Sequence, residues 1–364
     1  MKKKIIMTLL VFIVVSYFGR IEKEIIDELE VATAVGFDSK GKNKIEATAV
    51  MPLIKPDKTI SNKTISTVGN LSKEALSNVN HKSHKPVVNG KLEVALYSKK
   101  IAELGMQDFI DTFHRDPSVG SRLLLTVVDG EVKEMLQKKF EEYDTGSYIQ
   151  RQLNHNMKLG LIPTSNLHLF LSAYYTKGMD PVLPLINLKG EEINIKGLAL
   201  FKGTKMVDSI PYRNMFVFKA LHENIKMAGY KLKTKEKGKT EYFSIQGIST
   251  SKEFDVRNIH TAPEIILHLK IKGYIREYTG EGVTAKTVEK AEKLMEDKVN
   301  KEAEMLIKKF QRKSIDPLAF GEQARSRTRH WDEKKWAQQY KNMKVNVKVD
   351  VMITEIGVVD GLEL

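Results

Sequence analysis

A chain of 364 residues with 41% hydrophobic and 29% charged side chains has ordinary globular balance, enough for two or three domains and a sizeable core. It contains no cysteine, which excludes a disulfide framework, a thiolate metal site, a cysteine nucleophile and a thioether-linked lipid. The formal charge of +13 would attract polyanions, but its lysines interleave with glutamates, as over 289–293 and 298–304, the pattern of solvated helix faces rather than of a nucleic-acid groove.

At the N-terminus, Met1-Lys2-Lys3-Lys4 is followed by a nearly unbroken apolar run over 5–15. A basic start before an apolar stretch of this length is an export signal or an uncleaved anchor, with the charges kept inside and the body sent outward. Residues 1–18 are therefore expected as a signal or anchor segment. Next, 31–37 and 44–51 flank a polar turn, with Ile45, Ala47 and Ala49 alternating as in a half-buried hairpin strand. A polar connection over 55–70 leads to a short helix over 72–79. A strand over 92–96, a helix over 106–113 and a strand over 123–128 follow.

The stretch 161–190 carries Pro163, Pro181 and Pro184 and reads as the end of an N-terminal domain, 20–188, with a linker over 189–195. A C-terminal domain, 196–364, would open with a strand over 196–201 that turns at Gly203-Thr204 into Met206-Val207, then a helix after Pro211. Every second residue is apolar from Ile265 to Ile275, a long strand. Over 284–311, Val288, Ala291, Met295, Val299, Ala303, Leu306 and Phe310 make one apolar stripe on a helix roughly 40 Å long, which needs a sheet to lie across. Val345, Val347, Val349, Val351 and Ile353 mark the last strand. The fold class is α+β, in two or three mixed domains with antiparallel sheets and the long helix packed on the C-terminal sheet.

Signals of chemistry are poor. Gly280-x-Gly282-x-x-Ala285 leads into the long helix without the parallel βαβ context of a nucleotide site. His81-x-x-His84 lacks the third and fourth ligands of a metal site. Glu141-Glu142 and Glu191-Glu192 read as exposed charge, and neither a G-x-S-x-G elbow nor a P-loop is present. No catalytic residue, metal ligand or cofactor is assigned.

Three stretches resemble the Ger(x)C family, the C subunits of nutrient germinant receptors of endospore-forming bacteria. The first is an acidic lead-in over 24–29 before a strand ending in Gly36-Phe37-Asp38. The second is Arg115-Asp116, between a helix and a strand. The third, and most specific, runs from Asp316 through Phe320-Gly321, Arg325, Arg327, Arg329, Trp331, Trp336 and Tyr340 to the terminal strand and Gly357. The resemblance implies a non-enzymatic binding and assembly subunit without cofactor or nucleic acid. It would stand on the outer face of the inner spore membrane with integral membrane A and B subunits.

The sequence departs from the family where a lipobox Gly-Cys-Trp is usual: that place reads Phe18-Gly19-Arg20, so tethering falls to the N-terminal segment or to partner subunits. The two tryptophans also stand closer together than the family pattern implies. Arg325, Arg327, Arg329 and Trp331 read as a surface for a partner or for anionic lipid. The reading preferred for Trp331, Trp336 and Tyr340 is that they pack the long helix against the last strand, and for Arg115-Asp116 a buried pair or a helix cap. Two other functions stay open: an exported enzyme acting on cell-wall polymer, which needs convergent acids in a cleft, and a free-standing protein binding small anions, which needs an arginine-lined cleft.

Overall fold

The computed structural model describes Met7 and residues 28–354, apart from 42, 43, 58, 141, 142 and 237. The rest of the expected signal or anchor, the place of Phe18, Gly19 and Arg20, the pair Glu141-Glu142 and Gly357 all lie outside the described residues.

The strands of the first half are β1 (Glu30–Val31), β2 (Ala34–Ser39), β3 (Ile45–Ile54), β4 (Ile60–Gly69), β5 (Val87–Val88), β6 (Val94–Ser98), β7 (Leu124–Val128), β8 (Val182–Lys189), β9 (Glu192–Lys202) and β10 (Lys205–Pro211). β1 and β5 form a small parallel ladder, and the other eight form one sheet in the order β10-β9-β8-β7-β6-β2-β3-β4. Its middle is parallel (β2 with β6, β6 with β7, β7 with β8) and its flanks are antiparallel. The parallel centre follows from composition: Val94-Ala95-Leu96-Tyr97 and Leu124-Leu125-Thr126-Val127-Val128 are buried throughout, as strands covered on both faces must be.

Alternate side chains feed two cores. Ala95, Tyr97, Leu125 and Val127 pack with α1 (Ser72–Lys82), α2 (Lys99–Leu104), α3 (Gln107–His114) and α6 (Leu167–Tyr175). Val94, Leu96, Leu124 and Val128 pack with α4 (Val132–Leu136) and α5 (Thr145–Lys158). Gly36-Phe37-Asp38 holds α4 in place. The Asp38 carboxylate accepts the N–H groups of Val132 at 2.9 Å and Lys133 at 2.8 Å, and a Cβ on Gly36 would stand 2.1 Å from Val132 Cγ1.

Two expectations change here. The stretch 55–70 is not a connection but holds β4, paired with β3 from Ile45–Gly69 to Ile54–Ile60. Its β-branched Ile60, Thr64, Ile65, Thr67 and Val68 suit a strand, and an edge position tolerates its polar residues, so the run reads as loop. Residues 189–195, expected as a linker, are the last residue of β8, the two-residue Gly190-Glu191 turn and the start of β9, with Lys189 facing Glu192. β9 and β10 accordingly close the first sheet, and 161–190 contains α6 and β8.

The second sheet is β11 (Tyr230–Glu236), β12 (Lys239–Arg257), β13 (Glu264–Tyr278) and β14 (Lys344–Thr354), in that order. The two antiparallel hairpins end in a parallel β13–β14 pair, because α8 (Ala285–Lys313), α9 (Phe320–Arg327) and α10 (Glu333–Tyr340) cross over between them. α8 buries its expected stripe, Ala291, Met295, Val299, Ala303, Leu306 and Phe310. It also blunts the sheet edge: Glu296 and Glu292 accept the N–H groups of Val351 at 3.4 Å and Ile353 at 2.8 Å. With α7 (Met215–His222) between the sheets, one core runs from Leu153 through Val217 and Leu221 to Leu269 and Phe310.

Candidate functional site

The site is the junction where the end of α8 meets the first sheet. After Lys313 the chain turns through Ser314, which is left-handed at φ 55°, and drives Ile315 and Asp316 inward. The Asp316 carboxylate accepts the N–H groups of Phe320 at 3.0 Å and Gly321 at 2.7 Å, the first two residues of α9. The backbone of Asp316 meanwhile pairs with Asp180, ahead of β8. Its N–H donates to Asp180 Oδ2 at 2.8 Å, and its carbonyl accepts the Asp180 N–H at 3.0 Å. Asp180 also accepts the Gly203 N–H at 3.1 Å and the Lys202 ammonium at 3.2 Å, so one carboxylate ties the β9–β10 turn to the C-terminal motif.

Two glycines make the close approach possible. The Gly178 carbonyl accepts the Glu322 N–H at 3.1 Å. A Cβ on Gly178, itself left-handed at φ 78°, would stand 2.5 Å from the Gly321 carbonyl carbon, and one on Gly321 would stand 2.6 Å from Gly178 Cα and 2.7 Å from Trp336 Nε1. Only a pair of side-chain-free residues lets these backbones cross.

Burial pushes the Asp316 carboxyl up to about 7, against the pull of the two N–H donors and with a further push from Asp180. Both its oxygens are committed to backbone donors, so it positions α9 rather than offering a free acid. The Tyr340 hydroxyl donates to the Ile315 carbonyl at 2.8 Å, and burial together with the carboxyls of Asp316 and Asp180 raises its pKa well above the usual tyrosine value. Gln311 of α8 donates to the carbonyls of Tyr340 at 3.1 Å and Met343 at 2.8 Å. Trp336 and Tyr340 are thus buried against the end of the long helix, with ring centroids 6.3 Å apart.

A second set of buried polar groups secures the same junction from α7. Lys219 donates to the carbonyls of Met157 at 3.0 Å and Ile162 at 2.7 Å and pairs with Glu223 at 3.1 Å. His222 Nδ1 lies 2.9 Å from the Pro317 carbonyl, and Lys252 donates to the carbonyls of Leu221 and His222 at the C-terminus of α7. Burial lowers the pKa of His222 and brings that of Lys252 down to about 8.

Of the residues singled out from the sequence, Asp316, Phe320, Gly321, Trp336 and Tyr340 come together here. Arg325, Arg327 and Arg329 do not: all three are exposed. Arg325 forks onto Glu322 at 2.7 and 3.0 Å, and Arg327 reaches the Gln323 carbonyl at 3.0 Å. Trp331 is partly buried beside Trp336 at 6.3 Å. Arg115 and Asp116 line a separate recess with Lys73, Asn89 and Phe113. Arg115 is exposed at the end of α3, while Asp116 accepts from Ser118 at 2.9 Å (N–H) and 2.6 Å (Oγ) and from Asn89 at 3.2 Å. Burial alone would raise the Asp116 pKa, but these bonds hold it below the usual range. Sequence reasoning passed over Gly178, Asp180, Lys202, Lys219, His222 and Lys252. The Gly178-Met179-Asp180-Pro181 run carried a turn signal, but nothing local announced its distant partner.

The molecule is similar over nearly its whole length to bacterial spore germination proteins. Residues 22–188 match the family described as spore germination protein N-terminal domain, and residues 196–357 match that described as spore germination B3/GerAC like, C-terminal. The chain is 30% identical to the spore germination protein GerQC of Bacillus cereus over 356 residues, 96% of this chain and 99% of that protein. It is 22% identical over 315 residues to YfkR of Bacillus subtilis strain 168, covering 82% of this chain and 78% of the relative. The crystal structure of the GerBC protein shares its fold, with a TM-score of 0.57 at 15% identity over 88% of this chain and 96% of that one. The chain belongs to the Ger(x)C family, the C subunits of germinant receptors.

Proposed function

We propose that this protein is the C subunit of a nutrient germinant receptor, carried on the outer face of the inner spore membrane and assembled there with integral membrane A and B subunits. The observation that carries the reading is the near-full-length match to GerQC, which takes in both halves of the chain and the motif that joins them. In this reading the chain performs no chemistry of its own. Its task is to hold two α+β units in a fixed relation beside its partners.

Tethering rests on residues 1–18, since a chain without cysteine cannot carry a thioether lipid. Among the described residues no helix is long and apolar enough to cross a membrane. The exposed Arg325, Arg327 and Arg329, with Trp331 beside them, supply the contact surface toward a partner subunit or the anionic headgroups.

Fractionation of spore membranes tests this directly. The full chain should sediment with the inner membrane and co-purify with two integral membrane proteins. A chain lacking residues 1–18 but exported by an unrelated cleaved signal should lose most of its membrane association unless the partners alone retain it. Recovery of the full chain in the soluble fraction, free of both membrane proteins, would sink the proposal.

A further inference from the structure

The β3–β4 hairpin projects beyond the rest of the first sheet. β2 leaves β3 at the Ala34–Val50 pair, whereas β3 and β4 stay paired through Met51–Lys63 to Ile54–Ile60. That makes an arm of about 10 Å with a turn beyond it. The turn is held together: the Lys55 N–H donates to the Thr59 carbonyl at 3.0 Å, and the Asp57 carboxylate accepts the Thr59 N–H at 2.9 Å and its hydroxyl at 2.6 Å.

The end of this arm is apolar where it meets water. Leu53 is 52% and Ile54 71% exposed, and among the described residues no other two consecutive large hydrophobics are both exposed. As successive strand residues they stand on opposite faces of the ribbon, Leu53 across from Ser61 and Ile54 across from Ile60. A protein partner covers one face of a ribbon, whereas apolar groups on both faces suit a medium that surrounds the tip. Two side chains also fall far short of the roughly 800 Å² per partner of a stable protein interface. The turn sequence is basic on balance, Lys55 and Lys58 against Asp57, which suits anionic headgroups.

The entry of the chain fixes where such a medium lies. Glu30 pairs with Lys63 at the base of the arm, and the Thr33 N–H donates to the Val50 carbonyl at 2.9 Å, so the start of the body runs beside the hairpin. Nine residues, 19–27, separate Glu28 from the expected signal or anchor over 1–18, a reach of about 30 Å at most. A bilayer holding that segment is within range of the arm. The β9–β10 turn lies at this same end of the sheet, since β8 runs parallel with β7, β6 and β2 and β9 returns antiparallel to it. Asp180 attaches α9, with Arg325 and Arg327, beside that turn.

We propose that the tip of the β3–β4 hairpin, Leu53 and Ile54 with Lys55, dips into the interfacial layer of the bilayer that holds the N-terminal segment. The inference rests on the tethering reading above. Two apolar side chains bind a membrane weakly by themselves, but a tether keeps them at high local concentration, and the second contact then fixes how the body stands on the surface.

The chain has no native cysteine, so a single Pro56→Cys at the exposed turn carries an environment-sensitive dye and leaves Leu53 and Ile54 in place. Lys44→Cys, at the other end of β3 and about 30 Å away, is the control. Each labelled full chain is reconstituted into vesicles of phosphatidylcholine with about one-third phosphatidylglycerol and a nitroxide-bearing lipid as quencher. The label at position 56 should shift to the blue and be quenched at least about 5-fold more strongly than the label at position 44. Leu53→Asp combined with Ile54→Asp should cut that quenching by at least about 5-fold, with the chain still on the vesicles and its melting temperature little changed, since both side chains are exposed. A chain that floats with the vesicles while the label at position 56 stays as exposed to solvent as the control overturns the proposal and leaves the tether standing. A chain that does not float overturns the tether and the proposal together. Protection of the label only in native membranes that hold the partner subunits, and not in pure lipid, assigns the tip to a protein contact and is equally fatal.

Discussion

Residues 316–321 and 325–331 are neighbours in one C-terminal run, yet they differ in physical character. The first set is buried, and its polar groups are spent internally: the Asp316 side chain on α9, its backbone on Asp180, and Gly321 on contact with Gly178. In the second set Arg325, Arg327 and Arg329 are exposed, and among the described residues Arg325 and Arg327 bond within their own helix, to Glu322 and Gln323. The same run therefore combines a device that fixes two units together with three exposed arginines, the surface proposed above for a partner or for anionic lipid. Sequence resemblance treats the two as a single motif. The structure separates them, and substitution should separate them too.

The largest effect is expected at the glycine crossing. Gly321→Ala and Gly178→Ala each place a Cβ within 2.7 Å of backbone atoms, and Gly178 is left-handed as well. Each should cost about 3 kcal/mol in chemical denaturation. A cost below about 1 kcal/mol would mean that the two halves separate without penalty.

Next come the two aspartates. Asp180→Ala strips acceptors from the N–H groups of Asp316 and Gly203 and should cost about 2 kcal/mol. Asp316→Asn retains shape but not charge, and its signature is pH dependence. The folded-state pKa of Asp316 is raised to about 7 from the ordinary carboxylate value near 4, so folding favours the protonated form. Its contribution to stability is complete below about pH 4 and is lost as pH rises toward about 7, by on the order of 4 kcal/mol at most. The stability of wild type relative to Asp316→Asn should fall across that window, and a flat difference would contradict the assignment. His222 has the opposite sign: its pKa is lowered by burial, so its contribution is present above the ordinary histidine value near 6.5 and is lost on acidification. A His222→Gln control run alongside would show the opposite slope.

The smallest effect on stability, and the largest on association, belongs to the basic stretch. Combined Arg325→Ala, Arg327→Ala and Arg329→Ala should leave the denaturation midpoint unchanged, because exposed pairs contribute little to folding. The same variant should lose most of its binding to anionic vesicles or to the co-purifying membrane subunits. A shifted midpoint with intact association would assign the arginines to the fold instead.

What was legible in the sequence followed the range of the physics. The stripe along α8 and the alternation in β14 were readable because periods of 3.6 and 2 are local properties. β4 was not, because an edge strand shows water enough polar residues to pass for loop. At the junction, Asp316 and Gly321 were found through resemblance. Their partners Asp180 and Gly178 escaped because the contacts span more than a hundred residues of chain, and no spacing rule reaches that far. Arg115-Asp116 stood out as a pair, but Asp116 bonds to Ser118 and Asn89.

The most direct test of the central claim is nutrient-triggered germination of spores lacking this gene, scored by dipicolinate release and loss of refractility. Germination in response to one class of nutrient should vanish, return with the intact gene, and return weakly or not at all with the Gly321→Ala gene, whose product has a destabilised junction. Unchanged germination with every nutrient, in spores shown to make the protein before deletion, would contradict the receptor-subunit account.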